Sequence, residues 1–145
     1  MRVLIVDDMP VNLMIIRELF RMTNADDVDT CASGELALSL AFQNRYDLIL
    51  LDHKMPEMDG VEVLERLQDE WKASGRGNVP VIALTGNDRE GAREEYLSLG
   101  FSGYVAKPVE PEKLFMACKE FLPDLHVNEN EEGARITGQI DNEPF

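Results

Sequence analysis

Short apolar runs alternate with longer segments of mixed polarity along the chain. Residues 3–6, 48–51 and 79–84 are mostly aliphatic and are bounded by polar residues. This pattern is typical of strands that are buried on both faces of a parallel sheet. Residues 28–31 and 104–105 predict two shorter and weaker strands. The chain therefore contains five candidate strands.

The segments between these runs have the periodicity of amphipathic helices. Pro10 suits the first turn of a helix, and apolar residues recur at helical spacing after it, namely Leu13, Ile16, Leu19 and Phe20. Further helices are predicted after an N-cap at Ser33 and over residues 61–73, 88–99 and 111–121. Five alternations of strand and helix predict an α/β domain with a parallel sheet.

The periodic pattern ends shortly after the last predicted helix. We therefore predict one domain over residues 1–122 of the 145-residue chain and an acidic, mobile tail over residues 123–145. Six acids and one base fall in this tail. The alternative is a short docking segment that uses three apolar residues of the tail: Ile136, Ile140 and Phe145.

Charge and cysteine usage exclude several classes of function. The formal net charge of -14 argues against direct binding to nucleic acid or to anionic membranes. Cys31 and Cys118 match no metal or redox spacing, so we expect reduced, packed thiols. The first apolar run is too short for a signal peptide, and no run approaches a membrane span. We expect a cytoplasmic protein.

Polar side chains stand where the predicted strands end. Asp7 and Asp8 follow the first strand, and three more residues follow later strands: Asp52, Thr85 and Lys107. The carboxyl ends of parallel strands share one edge of a sheet, so these groups should converge. Three converging carboxylates repel one another unless a cation intervenes, and Mg²⁺ is the hard dication that oxygen ligands suit. With a hydroxyl and an ammonium beside them, the site suits a phosphoryl group.

Four motifs resemble those of the response-regulator receiver domains of two-component signalling. They are VLIVDD (residues 3–8), LILLDHKMPEMDG (residues 48–60), VIALTGN (residues 81–87) and YVAKP (residues 104–108). The resemblance covers residues 1–122. It implies a flavodoxin-like (βα)5 three-layer sandwich, in which a five-stranded parallel sheet has the order 2-1-3-4-5.

The resemblance also implies a chemistry for the strand-end residues. Asp52 would accept a phosphoryl group from a histidine kinase or a histidine phosphotransfer protein. Mg²⁺ would be held by Asp52, by Asp8 directly, by Asp7 mostly through water, and by the backbone carbonyl of Lys54. Two further residues, Thr85 and Lys107, would bind the phosphoryl oxygens and so act with Asp52 as the catalytic set. Lys107–Pro108 would be a cis peptide.

Other positions would govern the switch and the lifetime of the acyl phosphate. Thr85 and Tyr104 would be the switch residues that change a surface for a downstream protein partner. By the same resemblance, Lys54, Gly86 and Asn87 would flank the path of an attacking water, so we expect them to tune dephosphorylation. The domain would not be an enzyme beyond promoting its own phosphorylation and dephosphorylation.

Several alternatives remain open from the sequence. One alternative is a degenerate receiver that acts as a phosphorylation-independent binding module, although every site position holds a competent residue. An aspartyl-nucleophile phosphatase would need a second acid two residues after Asp52, where Lys54 stands. Tyr104 is alternatively a static aromatic, and Trp71 is either a core residue or a partner contact. His53 invites a metal role, but its side chain should point away from Asp52.

Overall fold

Five strands and five helices alternate along the part of the chain that the computed structural model describes, residues 1–128. The strands are β1 (Arg2–Val6), β2 (Asp27–Cys31), β3 (Leu48–Asp52), β4 (Val81–Thr85) and β5 (Gly103–Ala106). The helices are α1 (Pro10–Arg21), α2 (Gly34–Gln43), α3 (Gly60–Ser74), α4 (Ala92–Ser98) and α5 (Pro111–Phe121).

The strands form one parallel sheet in the order β2-β1-β3-β4-β5. The register aligns their carboxyl ends, because Val6 is paired with Leu51 and Thr85 with Ala106. The polar residues that end or follow β1, β3, β4 and β5 therefore lie along one edge of the sheet. The predicted fold class and strand order are confirmed.

Alternate residues of the strands supply two hydrophobic cores, one on each face of the sheet. Leu4, Ile49 and Ala83 belong to the core beneath α2, α3 and α4. Their strand neighbours face the core beneath α1 and α5, for example Val3, Leu48 and Ile82. Full burial of one such aliphatic side chain stabilises the fold by about 1.5–3 kcal/mol, so the continuous apolar runs account for the three-layer arrangement. Trp71, 1% exposed, is a core residue.

Local sequence signals set most helix ends. The helices α1 and α5 begin at Pro10 and Pro111, where a missing N–H costs nothing. Ser33 caps α2 by accepting a hydrogen bond from the Leu36 N–H, and Asp59 caps α3 in the same way. The helix α3 ends at Ser74, and its C-cap Gly75 adopts the left-handed conformation with φ 75°.

Two predicted elements differ from the observed ones by more than one residue at an end. The fourth helix was expected over residues 88–99, but α4 covers only Ala92–Ser98 because Gly91, with φ 88°, breaks the helical path before it. The fourth strand was expected over residues 79–84 and instead runs from Val81 to Thr85. Thr85 is thus the last residue of the strand and is held by it.

Packed structure extends past the predicted domain boundary at residue 122. Leu125 is 3% exposed within the core beneath α1 and α5. Val127 forms an antiparallel bridge with Thr23, which follows α1. Residues 123–128 therefore belong to the folded body rather than to a tail, because Leu125 supplies apolar area that the weak pattern of this segment did not reveal. The remainder of the predicted tail, residues 129–145, lies outside the described residues.

Two further sequence predictions concern the cysteines and the membrane. Cys31 and Cys118 are both free and buried, as expected, and they lie in different cores. Burial raises the pKa of both thiols, that of Cys31 to about 11 and that of Cys118 to about 12. Among residues 1–128, no helix has the length and apolar character needed to cross a membrane.

Candidate functional site

Three carboxylates converge at the carboxyl edge of the sheet, as the sequence predicted. Asp7 follows β1 and is fully buried, Asp52 ends β3 and is 2% exposed, and Asp8 is half-buried. One oxygen from each lies within 4.8 Å of the others. The strand register produces this cluster, because β1 and β3 are neighbours whose ends are level. Such a cluster of hard oxygen ligands suits a small dication.

Lys107 brings a positive charge to this cluster from the end of β5. Its Nζ lies 2.7 Å from Oδ1 of Asp52 and 3.1 Å from Oδ2 of Asp7. The Lys107 N–H also donates to the Thr85 carbonyl at 2.7 Å, which fixes the loop against β4. The Lys107–Pro108 peptide bond is cis, as predicted. The ammonium therefore neutralises part of the charge of two buried carboxylates.

The electrostatic balance at Asp52 favours its protonated form more than usual. Burial raises the pKa of Asp52, the hydrogen bond from Lys107 lowers it, and the charge of Asp7 raises it, giving about 7. For Lys107, desolvation lowers the pKa, but the hydrogen bond to Asp52 and the charges of Asp52 and Asp7 outweigh it and raise it. One ammonium therefore does not compensate three carboxylates, and the site favours additional positive charge.

The carboxylate oxygens of Asp7 and Asp52 differ in their hydrogen-bond partners. Oδ1 of Asp7 accepts from the Met9 N–H at 2.9 Å, and its Oδ2 accepts from the Asn12 amide at 3.3 Å. Oδ2 of Asp52 is buried and has no hydrogen-bond partner within residues 1–128. A buried oxygen without a partner is costly, and a metal ion or a bound phosphoryl group would satisfy it. The residues thus fit Mg²⁺.

Gly60 allows α3 to begin directly against the end of β3. The Gly60 N–H donates to the His53 carbonyl at 2.8 Å. A Cβ at Gly60 would overlap the backbone carbonyl oxygen of Asp52. A glycine is therefore required at this position by the close approach of the two backbone segments.

The Thr85 hydroxyl is held by residues that the sequence pattern did not single out. Its Oγ1 accepts from the Tyr96 hydroxyl at 2.7 Å and from the Asn87 N–H at 3.0 Å. Tyr96 lies on α4, is 1% exposed, and its oxygen is 2.8 Å from Nδ1 of His53. His53 therefore turns toward α4 and away from the carboxylates, which agrees with the expected direction of its side chain. Burial, aided by the charge of Lys54, lowers its pKa.

Tyr104, the predicted switch residue, is half-buried at the edge of β5. Its ring stacks on that of Tyr96, with centroids 5.7 Å apart and planes inclined by 23°. Its hydroxyl donates to Oδ1 of Asp88 at 2.7 Å, and this hydrogen bond raises its pKa. Tyr104 is thus in contact with Thr85 through Tyr96, an intermediary that the spacing of the sequence did not reveal.

The residues expected to tune dephosphorylation border a depression beside Thr85. Lys54 is exposed in the loop after β3, and Gly86 is exposed with open space around the position of a Cβ. The Asn87 amide donates to Glu95 at 3.2 Å, and its oxygen accepts from the Arg89 N–H at 3.3 Å. The side chain of Asn87 therefore contacts α4. Gly86, which has no side chain, leaves the approach to Thr85 open.

A comparison with known protein families agrees with this site. A model of the response regulator receiver domain matches residues 3–119. The chain belongs to this family. It is a receiver domain, and the resemblance read from its four motifs is confirmed. Receiver domains are in general signalling modules rather than enzymes.

Two curated relatives place this receiver domain among proteins of two-component phosphorelay signalling. It is 37% identical over 123 residues to the signal transduction histidine-protein kinase BarA of Escherichia coli K12, a match that covers 85% of this chain and 13% of that kinase. It is 33% identical over 122 residues to the polar-differentiation response regulator DivK of Brucella anthropi, covering 84% of this chain and 96% of DivK. The chain thus spans a small part of the first relative and nearly all of the second.

A solved receiver domain with the same fold contains a magnesium ion. The receiver domain of the sensor histidine kinase PA1611 from Pseudomonas aeruginosa PAO1 superposes with a TM-score of 0.70 and 32% identity, covering 85% of this chain and 98% of that one. That structure contains a magnesium ion coordinated in its active site cleft. The present receiver domain has an acidic cluster of Asp7, Asp8 and Asp52.

Proposed function

We propose that Asp52 is the residue that this receiver domain uses as its phosphoacceptor, with Mg²⁺ as cofactor and a phosphohistidine as donor. The observation that carries the proposal is the position of the Asp52 carboxylate. It is buried, lies 2.7 Å from the Lys107 ammonium and belongs to a cluster with two other acids. Phosphoryl transfer requires mainly positioning and neutralisation of charge, and these groups supply both.

In the transfer, a carboxylate oxygen of Asp52 attacks the phosphorus of the donor. A P–O bond forms as the P–N bond breaks, and the donor imidazole, protonated on its other nitrogen, leaves as a neutral ring. The Lys107 ammonium already contacts Asp52, so it is within reach of a phosphoryl group attached there. The Thr85 hydroxyl provides a second donor to the phosphoryl oxygens.

The metal ligands in this proposal are Asp8, Asp52, the backbone carbonyl of Lys54 and, mostly through water, Asp7. When bound, Mg²⁺ supplies positive charge that offsets the charge of the carboxylates and of the transferred group. The raised pKa of Asp52 supports this assignment, because burial and neighbouring acids make an additional cation favourable. The hydrogen bonds from Met9 and Asn12 to Asp7 orient one member of the set.

The donor is expected to approach along the start of α1. This helix begins two residues after Asp8, and its outer face exposes apolar side chains beside the site: Met9, Val11, Met14 and Ile15, each between 47% and 60% exposed. Exposed apolar side chains grouped on a helix and its N-cap suit a protein interface. We assign it to a histidine kinase or a histidine phosphotransfer protein, because such a donor must reach Asp52.

The output is proposed to pass through the face formed by α4 and β5 to a downstream protein partner. Thr85 and Tyr104 are the proposed switch residues, and both contact Tyr96 on α4. Binding of the Thr85 hydroxyl to a phosphoryl oxygen would shift the population of conformations on this face. The net charge of -14 argues against nucleic acid as the direct target, and a cytoplasmic location suits a phosphorelay partner.

Acetyl phosphate provides a test that requires no cognate kinase. With Mg²⁺, we expect the intact mass to show one added phosphoryl group, and we expect EDTA or Asp52→Asn to abolish it. Asp69→Asn, which removes an exposed carboxylate on α3, is the matched control and should label normally. Undiminished labelling of Asp52→Asn would refute the proposed acceptor.

A further inference from the structure

The Thr85 hydroxyl is arranged so that its proton is available to a phosphoryl oxygen. A hydroxyl group has one donor and two acceptor positions. Both acceptor positions of Thr85 Oγ1 are used, one by the Asn87 N–H and one by the Tyr96 hydroxyl. With Tyr96 as the donor, Thr85 has no acceptor for its own proton within residues 1–128, and the residue is 5% exposed.

The hydrogen bond from Tyr96 fixes a direction for the contacts behind it. When the Tyr96 hydroxyl donates to Thr85, its oxygen is left to accept from His53, whose Nδ1 lies 2.8 Å away. This arrangement requires His53 to carry a proton on Nδ1. Phosphoryl oxygens accept but do not donate hydrogen bonds, so a phosphoryl group beside Thr85 selects the same direction. Each bond in such a chain polarises the next.

We propose that Tyr96 and His53 are positioning residues for phosphoryl binding, and that they act through the Thr85 hydroxyl. The chain runs from His53 Nδ1–H to the Tyr96 oxygen, from the Tyr96 hydroxyl to Thr85 Oγ1, and from the Thr85 hydroxyl to a phosphoryl oxygen. This inference rests on the proposed function of Asp52. Thr85 thereby donates with a fixed orientation, and α4 is linked to the site before any switch occurs.

The opposite role for Tyr96 has a distinct signature. If its hydroxyl held Thr85 away from the phosphoryl group, Tyr96→Phe would release Thr85 and tighten phosphoryl binding. If Tyr96 positions Thr85, Tyr96→Phe should instead weaken phosphoryl binding. The ring of Tyr96 packs against His53 and Phe101 at nearly perpendicular angles and stacks on Tyr104, and Tyr96→Phe keeps these contacts while removing only the hydroxyl.

The first measurement compares binding of Mg²⁺ with binding of beryllofluoride, a phosphoryl mimic, by isothermal titration. For Tyr96→Phe, we expect unchanged Mg²⁺ affinity and about fivefold weaker beryllofluoride affinity, because the loss of one hydrogen bond costs about 1 kcal/mol. Tyr46→Phe is the matched control, since it removes a buried tyrosine hydroxyl that donates to Asp29 at 2.6 Å on the far side of the domain. It should bind both ligands as the wild type does.

The second measurement reads the proton on His53 directly. In ¹⁵N spectra of the wild type with Mg²⁺ and beryllofluoride, the His53 ring should be fixed as the Nδ1–H tautomer, and Tyr96→Phe should lose this preference. His53→Phe removes the donor and should weaken beryllofluoride binding less than Tyr96→Phe does. His53→Asn places an amide N–H near the same position and should restore affinity.

Each outcome decides the proposal. Unchanged or tighter beryllofluoride binding by Tyr96→Phe would overturn it, and so would equal losses of Mg²⁺ and beryllofluoride affinity, which indicate general damage to the site. Thermal melts of every variant identify any that fail to fold. A wild-type protein that binds Mg²⁺ but not beryllofluoride would instead refute the proposed function of Asp52, and this inference with it.

Discussion

The raised pKa of Asp52 predicts that metal-free protein loses stability as pH rises through neutrality. Burial is the largest cause of the shift, and the pKa of about 7 compares with an ordinary value of 3.8. Between these values, the folded state holds a proton that the unfolded state has released, so stability falls with rising pH in this window. Above pH 7 the full loss of stability from ionised Asp52 is present, and below about pH 4 this loss vanishes.

The size of this effect follows from the two pKa values. At about 1.4 kcal/mol for each pKa unit, the ionised Asp52 costs the folded state on the order of 4 kcal/mol. About 3 kcal/mol of this cost falls between pH 5 and pH 8. Asp52→Asn removes the charge and hence the cost. The variant should therefore gain stability over the wild type as pH rises from 5 to 8.

Urea denaturation in EDTA, followed by the fluorescence of the single buried tryptophan, Trp71, measures this difference. The lowered pKa of His53, caused by burial and then by Lys54, gives an opposite pH dependence below its ordinary pKa of 6.5, but it is common to both proteins and cancels. The raised pKa of Lys107 keeps its charge constant throughout. Asp69→Asn should follow the wild-type curve.

If the free energies of unfolding of Asp52→Asn and wild type differ by a constant amount from pH 5 to pH 8, the reasoning is refuted. Added Mg²⁺ provides a second check at pH 8, because a ligand that binds the folded state stabilises it. Mg²⁺ should narrow the gap by stabilising the wild type more than the variant. Equal stabilisation of both proteins would show that Asp52 is not among the metal ligands.

Further predictions concern neighbouring positions. Gly60→Ala should destabilise the protein by about 1–3 kcal/mol in urea denaturation, because its Cβ overlaps the Asp52 carbonyl, whereas Gly86→Ala, which has open space, should cost nothing; equal effects would contradict this. Lys107→Ala should slow labelling by acetyl phosphate, and wild-type labelling rates would exclude a role for the ammonium. Lys54→Ala and Asn87→Ala should label normally yet change the decay of the acyl phosphate, about tenfold for a barrier change of about 1.4 kcal/mol; wild-type decay in both would show that they are bystanders.

The sequence was sufficient to predict the sheet and the polar groups at its edge, and the reason is physical. Strands buried on both faces must be continuously apolar, so the runs around Leu4, Leu50 and Ile82 were visible without any partner information. Parallel strands bring their carboxyl ends to one edge, and this placed Asp52 and Lys107 together before any distance was known. Pattern and topology thus predicted the cluster.

The contacts behind the site depend on packing that has no period in the sequence. Tyr96 resembles any buried aromatic until α4 is docked, because its partners, His53 and Thr85, come from two other segments. The start of α4 was misjudged because a glycine within a helical pattern does not reveal whether it adopts the left-handed conformation that Gly91 has. Leu125 was assigned to a tail because one apolar residue in a polar segment carries too little signal.

The most direct test of the central claim is to locate the acyl phosphate in the chain. Protein labelled by acetyl phosphate with Mg²⁺ is treated with borohydride, which reduces an aspartyl phosphate to homoserine, and is then sequenced by tandem mass spectrometry. We expect homoserine at position 52 when labelling is carried out with Mg²⁺. We expect none when EDTA is present during labelling. Homoserine at Asp7, at Asp8 or elsewhere, with Asp52 unmodified, would contradict the account.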